Sequence, residues 1–262
     1  MVATFTPAHR GGSGPPLLLL HGFTDTWRTW ELVLPALERR HEVLAPTLPG
    51  HTGGPRLDAI REGGLADAVE TALDEAGFGE VAIAGNSLGG YVALQLAARG
   101  RASSVVALAP AGGWAPDDPS AEETLAIMET MQRATRAMLP RLDALLATPA
   151  GRRRATRAVA ERADHLPPEL VEHLVTGAAL CEAFDPLTAR ARSHGWPLDT
   201  ARVTCPVRVV WGTADALLPW PRAAARWQAE LPHAEWIVLD HVGHAPQLDV
   251  PLETAQLILG FA

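Results

Sequence analysis

Short runs of consecutive apolar residues alternate with stretches of helical period along most of this chain. Four leucines at 17–20 follow Pro15-Pro16 and stop at His21-Gly22, which predicts a fully buried strand. Apolar positions Trp30, Val33, Leu34 and Leu37 recur at helical spacing and predict a helix over 29–39. A second strand is expected at 42–45, stopped by Pro46, and a third at 81–84, stopped by Gly85. Between them 57–76 reads as a helix. Small and apolar residues at 88–99, closed by Gly100, predict another, and 104–109 a fourth strand.

The alternation then breaks. From about 120 to 192 the pattern is helical throughout, interrupted by Pro140, Pro149, Pro167-Pro168 and Pro186. Ser120 with Glu123 has the spacing of a capping box. Strands return at 206–211 and 235–239, with helices expected at 221–231 and 252–259. Strands buried on both faces and separated by helices imply a mostly parallel sheet of about six to eight strands with helices on both sides, an α/β class. The helical block then reads as an insertion between two strands.

Composition narrows the functional class. The chain has 262 residues and is 47% hydrophobic and 20% charged, which excludes a disordered or collagenous chain. Its net charge of -8 argues against nucleic acid as a partner, since phosphate binding needs a basic face. All 22 basic residues are arginine, so chemistry that needs a lysine amine is excluded. Two cysteines, Cys181 and Cys205, are expected as unpaired thiols. No apolar run approaches the ~20 residues of a membrane span, and the first 16 residues hold no signal-peptide pattern. A cytoplasmic protein that acts on a small molecule, with no membrane partner, is expected. No His, Cys and carboxylate cluster has metal-ligand spacing, so neither a metal nor a cofactor is expected.

The chemistry concentrates at Gly85-Asn86-Ser87-Leu88-Gly89-Gly90, between a predicted strand and a predicted helix. That is the setting of a nucleophile elbow, in which a sharp turn lifts a serine hydroxyl above the sheet. A hydroxyl needs a base to take its proton. Among ten histidines, His244 follows the last strand and precedes the last helix, with His241 as its near rival. Asp215 follows the strand at 206–211, which puts it at the same sheet edge, where sites of open α/β sheets assemble. The order serine, acid, histidine is one of the three known orders of a Ser-His-Asp triad. An oxyanion needs donors, for which the backbone N–H groups of Leu88 and Phe23 are the candidates. His21, at the end of a buried strand, reads as structural, and His51, in a Gly/Pro turn, as solvent-exposed. Candidate pocket residues are Trp114, Asn86 and Leu217. Leu125, Met128, Met131, Leu142 and Leu146 recur at helical spacing in the insert, the pattern of ordinary helix packing.

Four segments resemble the α/β-hydrolase fold superfamily over nearly the whole chain. They are LLLLHGF at 17–23, GNSLGG at 85–90, GTADALLP at 212–219 and GHAPQLDVP at 243–251. The resemblance implies Ser87 as nucleophile, Asp215 as acid, His244 as base, Phe23 and Leu88 as oxyanion donors, and a core of residues 1–113 and 196–262 with a helical cap of 114–195 over the site. It implies a serine esterase acting on a small or medium-sized apolar ester. Haloalkane dehalogenases and epoxide hydrolases of the superfamily use an aspartate where this chain has Ser87. Carbon–carbon bond hydrolases typically carry a tryptophan after the catalytic histidine, where this chain has Ala245. A carbon–carbon hydrolase, an acyltransferase on the same triad and a ligand-binding protein of the same fold remain the alternatives.

Overall fold

The computed structural model describes residues 4–57 and 61–262. Among the described residues seven strands form one sheet: β1 (Ala8–Gly12), β2 (Pro16–Leu20), β3 (Glu42–Pro46), β4 (Val81–Asn86), β5 (Ala102–Leu108), β6 (Val207–Gly212) and β7 (Glu235–Leu239). Their spatial order is β1-β3-β2-β4-β5-β6-β7. All neighbours are parallel except β1, which runs antiparallel to β3. The sequence pattern does not predict β1, because its residues AHRGG lack an apolar run. β1 forms because β3 offers it an open edge, and Arg10 seals the pair with Glu42 at 2.6 Å.

Side-chain alternation explains why the central strands are apolar without a break. In β2, Leu18 and Leu20 face one side and pack with Ile83, Val105, Val209 and Trp211. Leu17 and Leu19 face the other, with Val43, Ala84, Val106 and Val210. Helices α2 (Gly64–Ala76) and α3 (Leu88–Ala98) cover the first side through Val69, Leu73, Val92 and Leu96. The second side is covered by Trp30, by α1 (Leu34–Leu37) and by Ala255 and Ile258. The expected helix over 29–39 divides into a 3-10 turn at Trp27–Trp30 and α1. Pro35 has no N–H and sits in the first turn of α1, so one helix cannot run through it. Of the helix expected over 57–76, residues 58–60 lie outside the described residues, and α2 starts at Gly64.

Between β5 and β6 the chain builds only helices: α4 (Ser120–Met138), α5 (Leu142–Leu146), α6 (Pro149–Thr156), α7 (Pro168–Leu180) and α8 (Phe184–His194). They have a core of their own, in which Leu142, Leu146, Leu166, Leu170 and Val171 meet Ala245 and Leu248. The capping box at Ser120 does not form. Asp118 takes that place instead, its Oδ1 accepting the Ser120 N–H at 2.9 Å and the Ser120 hydroxyl at 2.8 Å. The remaining helices are α9 (Ala225–Glu230), α10 (Pro246–Asp249) and α11 (Pro251–Leu259). No helix among the described residues is long and apolar enough to cross a membrane. Cys181 and Cys205 are unpaired.

Candidate active site

The site forms where β4 turns into α3. Ser87 has φ 53° and ψ -114°, outside the relaxed regions for a residue with a Cβ. Packing enforces this turn. A Cβ on Gly85 would lie 2.3 Å from the Gly89 carbonyl oxygen, and one on Gly89 would lie 2.2 Å from that of Leu20. Glycine at both positions lets the elbow close against β2. The Ser87 carbonyl accepts from the Tyr91 and Ala111 N–H groups, and its own N–H donates to Leu108 O at 2.8 Å.

His244 and Asp215 meet beside this turn. Asp215 follows β6, and His244 lies between β7 and α10. Their side chains are 7% and 0% exposed, and the His244 Nδ1 to Asp215 Oδ2 distance is 2.8 Å. A carboxylate only accepts, so Nδ1 carries the proton and Nε2 is the basic nitrogen. The other oxygen of Asp215 accepts the N–H groups of Leu217 (2.9 Å) and Leu218 (2.8 Å), which fixes the carboxylate plane. Ser87 and His244 line the same cleft. Ser87 Oγ forms no hydrogen bond to His244; such contacts are often loose in a ligand-free enzyme.

The loop after β2 completes the cleft. A Cβ on Gly22 would stand 3.4 Å from the Ser87 Cβ, so this loop rests on the elbow. Thr24, a β-branched residue, is held at φ 66° within it. Phe23 and Leu88 both line the cleft with Ser87, and among the described residues neither backbone N–H donates a hydrogen bond. His21 is fully buried and structural: its Nδ1 donates to Gly22 O at 2.7 Å and its Nε2 accepts from the Leu48 N–H at 2.8 Å. His241 is 80% exposed and stands outside the site. His51 is a correction, being buried rather than at solvent. Its turn is roofed by the helical insert, through Thr52 Oγ1 to Gly177 O and Ala183 N to Gly50 O. Burial lowers its pKa to about 4.

The cleft has two lobes, both lined by Phe23, Ser87 and Met128. Trp114 lines the first with Tyr91, Leu125 and Trp196; its indole N–H has no partner among the described residues. Leu217 lines the second with Met131, His244 and Leu248. Asn86 also borders this lobe, but its amide is spent on scaffolding. Its NH2 donates to Leu108 O and His244 O, and its oxygen accepts from Gln247. Asn86 therefore ties the elbow to the histidine loop instead of offering the pocket a free polar group.

Two residues escape the sequence reading. Asp249, in α10, accepts the N–H groups of Gly243 (2.5 Å), Glu161 (3.1 Å) and Arg162 (2.8 Å), so it clamps the His244 loop to the insert. Asp25 lines the second lobe, half-buried, and burial pushes its pKa up to about 6. Among the described residues, no group of three or more His, Cys, Asp or Glu is arranged to hold a metal ion.

Comparison with known proteins agrees with this architecture. The sequence model of the alpha/beta hydrolase family matches residues 17–257. The epoxide hydrolase EphH of Mycobacterium tuberculosis is 35% identical over 212 residues, 75% of this chain and 92% of its own length. The pimeloyl-[acyl-carrier protein] methyl ester esterase of Aromatoleum aromaticum is 31% identical over 262 residues, 93% of this chain and 96% of its own. Among solved structures, the 2-hydroxy-6-oxo-6-phenylhexa-2,4-dienoate hydrolase of a Rhodococcus species has a TM-score of 0.75 at 20% identity. That superposition covers 97% of this chain and 96% of the other, a likeness of fold.

Proposed function

Because this chain belongs to the alpha/beta hydrolase family, we propose that it is a serine hydrolase that cleaves a carboxylic ester of a small or medium-sized apolar substrate. The observation that carries the reading is the buried His244–Asp215 hydrogen bond beside the strained Ser87 turn. In this scheme Asp215 holds the imidazole so that Nε2 faces the cleft. Nε2 takes the Ser87 proton as Oγ attacks the ester carbon, and the carbonyl oxygen becomes an oxyanion. The backbone N–H groups of Phe23 and Leu88 stabilise that charge, helped by the N-terminus of α3. When the tetrahedral intermediate collapses, the carbon–oxygen bond to the alcohol breaks and the alcohol oxygen takes the proton from Nε2. Water, deprotonated by His244, then attacks the acyl-serine and releases the acid and the free hydroxyl. The insert, read here as a cap over 114–195, supplies the apolar walls of both lobes.

Ester cleavage fits the nucleophile better than epoxide opening, the activity in the name of the EphH relative. Attack by a serine hydroxyl on an oxirane carbon would leave an alkyl ether, with no carbonyl for water to attack. An acyl-serine keeps its carbonyl and turns over. The test is hydrolysis of p-nitrophenyl esters from acetate to decanoate by the wild type and by Ser87→Ala. Activity that peaks at one chain length and vanishes in a folded Ser87→Ala supports the reading. Undiminished activity in that variant refutes it.

A further inference from the structure

We propose that Asp25 selects the leaving group. The lobe beside the imidazole receives an alcohol that carries a hydrogen-bond donor, a hydroxyl or an ammonium, and turns away anionic alcohols. The proposal rests on the ester-cleavage reading above, because that reading assigns the two lobes. The departing oxygen takes its proton from His244, so the alcohol must lie on the imidazole side. His244 lines the second lobe and not the first. The alcohol therefore occupies the lobe of Met131, Leu217 and Leu248, and the acyl group that of Tyr91, Trp114 and Leu125.

Within the alcohol lobe, Asp25 and His244 are the only ionisable side chains among the described lining residues. The walls are otherwise apolar or neutral. Asp25 forms no ion pair among the described residues; its carboxylate accepts the Thr26 N–H at 2.7 Å and a hydrogen bond from the Thr29 side chain, both neutral donors. Local capping does not explain it. The following 3-10 turn at Trp27–Trp30 is capped by the Thr26 hydroxyl, which accepts the Arg28 N–H. A carboxylate placed against an apolar wall without a cation costs the fold stability. Such uncompensated groups cluster where a ligand supplies the missing partner. A donor on the alcohol adds to the two neutral hydrogen bonds of Asp25, and a cationic donor also balances its charge. An anionic alcohol meets like charge in a lobe that holds no arginine.

The experiment compares butyrate esters of four alcohols: 1-propanol, ethane-1,2-diol, 2-(dimethylamino)ethanol and 3-hydroxypropanoic acid. kcat/KM is measured for the wild type, Asp25→Asn and the surface control Glu253→Gln. Each ester's intrinsic reactivity cancels when its ratio to the propyl ester is compared between variants. We expect the wild type to favour the hydroxyl and ammonium esters, and to disfavour the carboxylate ester, by roughly tenfold relative to Asp25→Asn. That preference should fade in the wild type, and not in Asp25→Asn, as pH falls through about 6, where Asp25 takes up its proton. His244 is the one other ionisable side chain among the described lining residues of this lobe, and it is common to both proteins. Equal ratios in the wild type and Asp25→Asn overturn the proposal while leaving the ester-cleavage reading intact. No turnover of any ester by the wild type overturns both.

Discussion

Asp249→Asn isolates how the histidine loop is held. The Asp249 carboxylate accepts three backbone N–H groups, from Gly243 at 2.5 Å, Glu161 at 3.1 Å and Arg162 at 2.8 Å. Asp249 and Gly243 are both buried, so the Gly243 N–H has no water to fall back on, while Glu161 and Arg162 stand nearer the surface. Hydrogen bonds to a charged group contribute about 1.5–3 kcal/mol each. Asparagine keeps one oxygen but turns an NH2 toward at least one of the N–H groups, donor against donor. We therefore expect a loss of about 2–4 kcal/mol. At ~2–4 °C per kcal/mol for a chain of this size, that lowers Tm by roughly 4–16 °C. Gly243 precedes His244, so the imidazole should lose its orientation as well. Ester hydrolysis should fall by about 10–10² in kcat with KM little changed. The assay is a thermal melt and steady-state kinetics beside Glu253→Gln, an exposed carboxylate on α11. A Tm for Asp249→Asn matching that of the control would refute the clamp.

Three further outcomes follow from the same geometry. Gly89→Ala should fail to accumulate as folded protein or should lose several kcal/mol, because its Cβ would stand 2.2 Å from the Leu20 carbonyl; wild-type stability in denaturant would contradict this. Stability should fall between about pH 6.5 and 4. Burial lowers the pKa of His21, and brings His51 and His173 to about 4, so the unfolded chain binds protons there before the fold does. A urea midpoint at pH 5 equal to or above that at pH 7 would count against it. Asp25 acts in the opposite direction, since its raised pKa penalises the fold once it ionises. Asp25→Asn should gain on the order of 1–2 kcal/mol at pH 7.5, and the gain should vanish near pH 4; a variant less stable than wild type at pH 7.5 would show that the carboxylate supports the fold.

Motifs with their own local physics were legible in the sequence. The elbow glycines, the buried leucines of β2 and the apolar β4 and β6 declare themselves because strand period and turn chemistry are local properties. The chain order of Ser87, Asp215 and His244 was readable for the same reason: each stands at the C-terminal end of a recognisable strand. What the sequence hid depends on chain that arrives from far away. Asp249 reads as an ordinary helix carboxylate until Glu161 and Arg162 bring their N–H groups to it. His51 reads as a loop histidine until α7 and α8 cover its turn. β1 carries no apolar signal and forms only against the open edge of β3. Asp25 lies two residues past Phe23 in plain view, but its apolar surroundings come from Met131, Val159 and Leu248. Asn86 lines the second lobe, but the sequence does not show that its amide is also a strut between the elbow and the histidine loop.

An activated Ser87 hydroxyl should react with an electrophile that captures serine nucleophiles. The most direct measurement is the intact mass of the protein after exposure to a fluorophosphonate, with the modified peptide located by fragmentation. One adduct per chain is expected, on Ser87, formed with loss of fluoride and absent from a Ser87→Ala protein of unchanged Tm. An adduct on another residue, or no adduct on a folded wild-type chain, would contradict it.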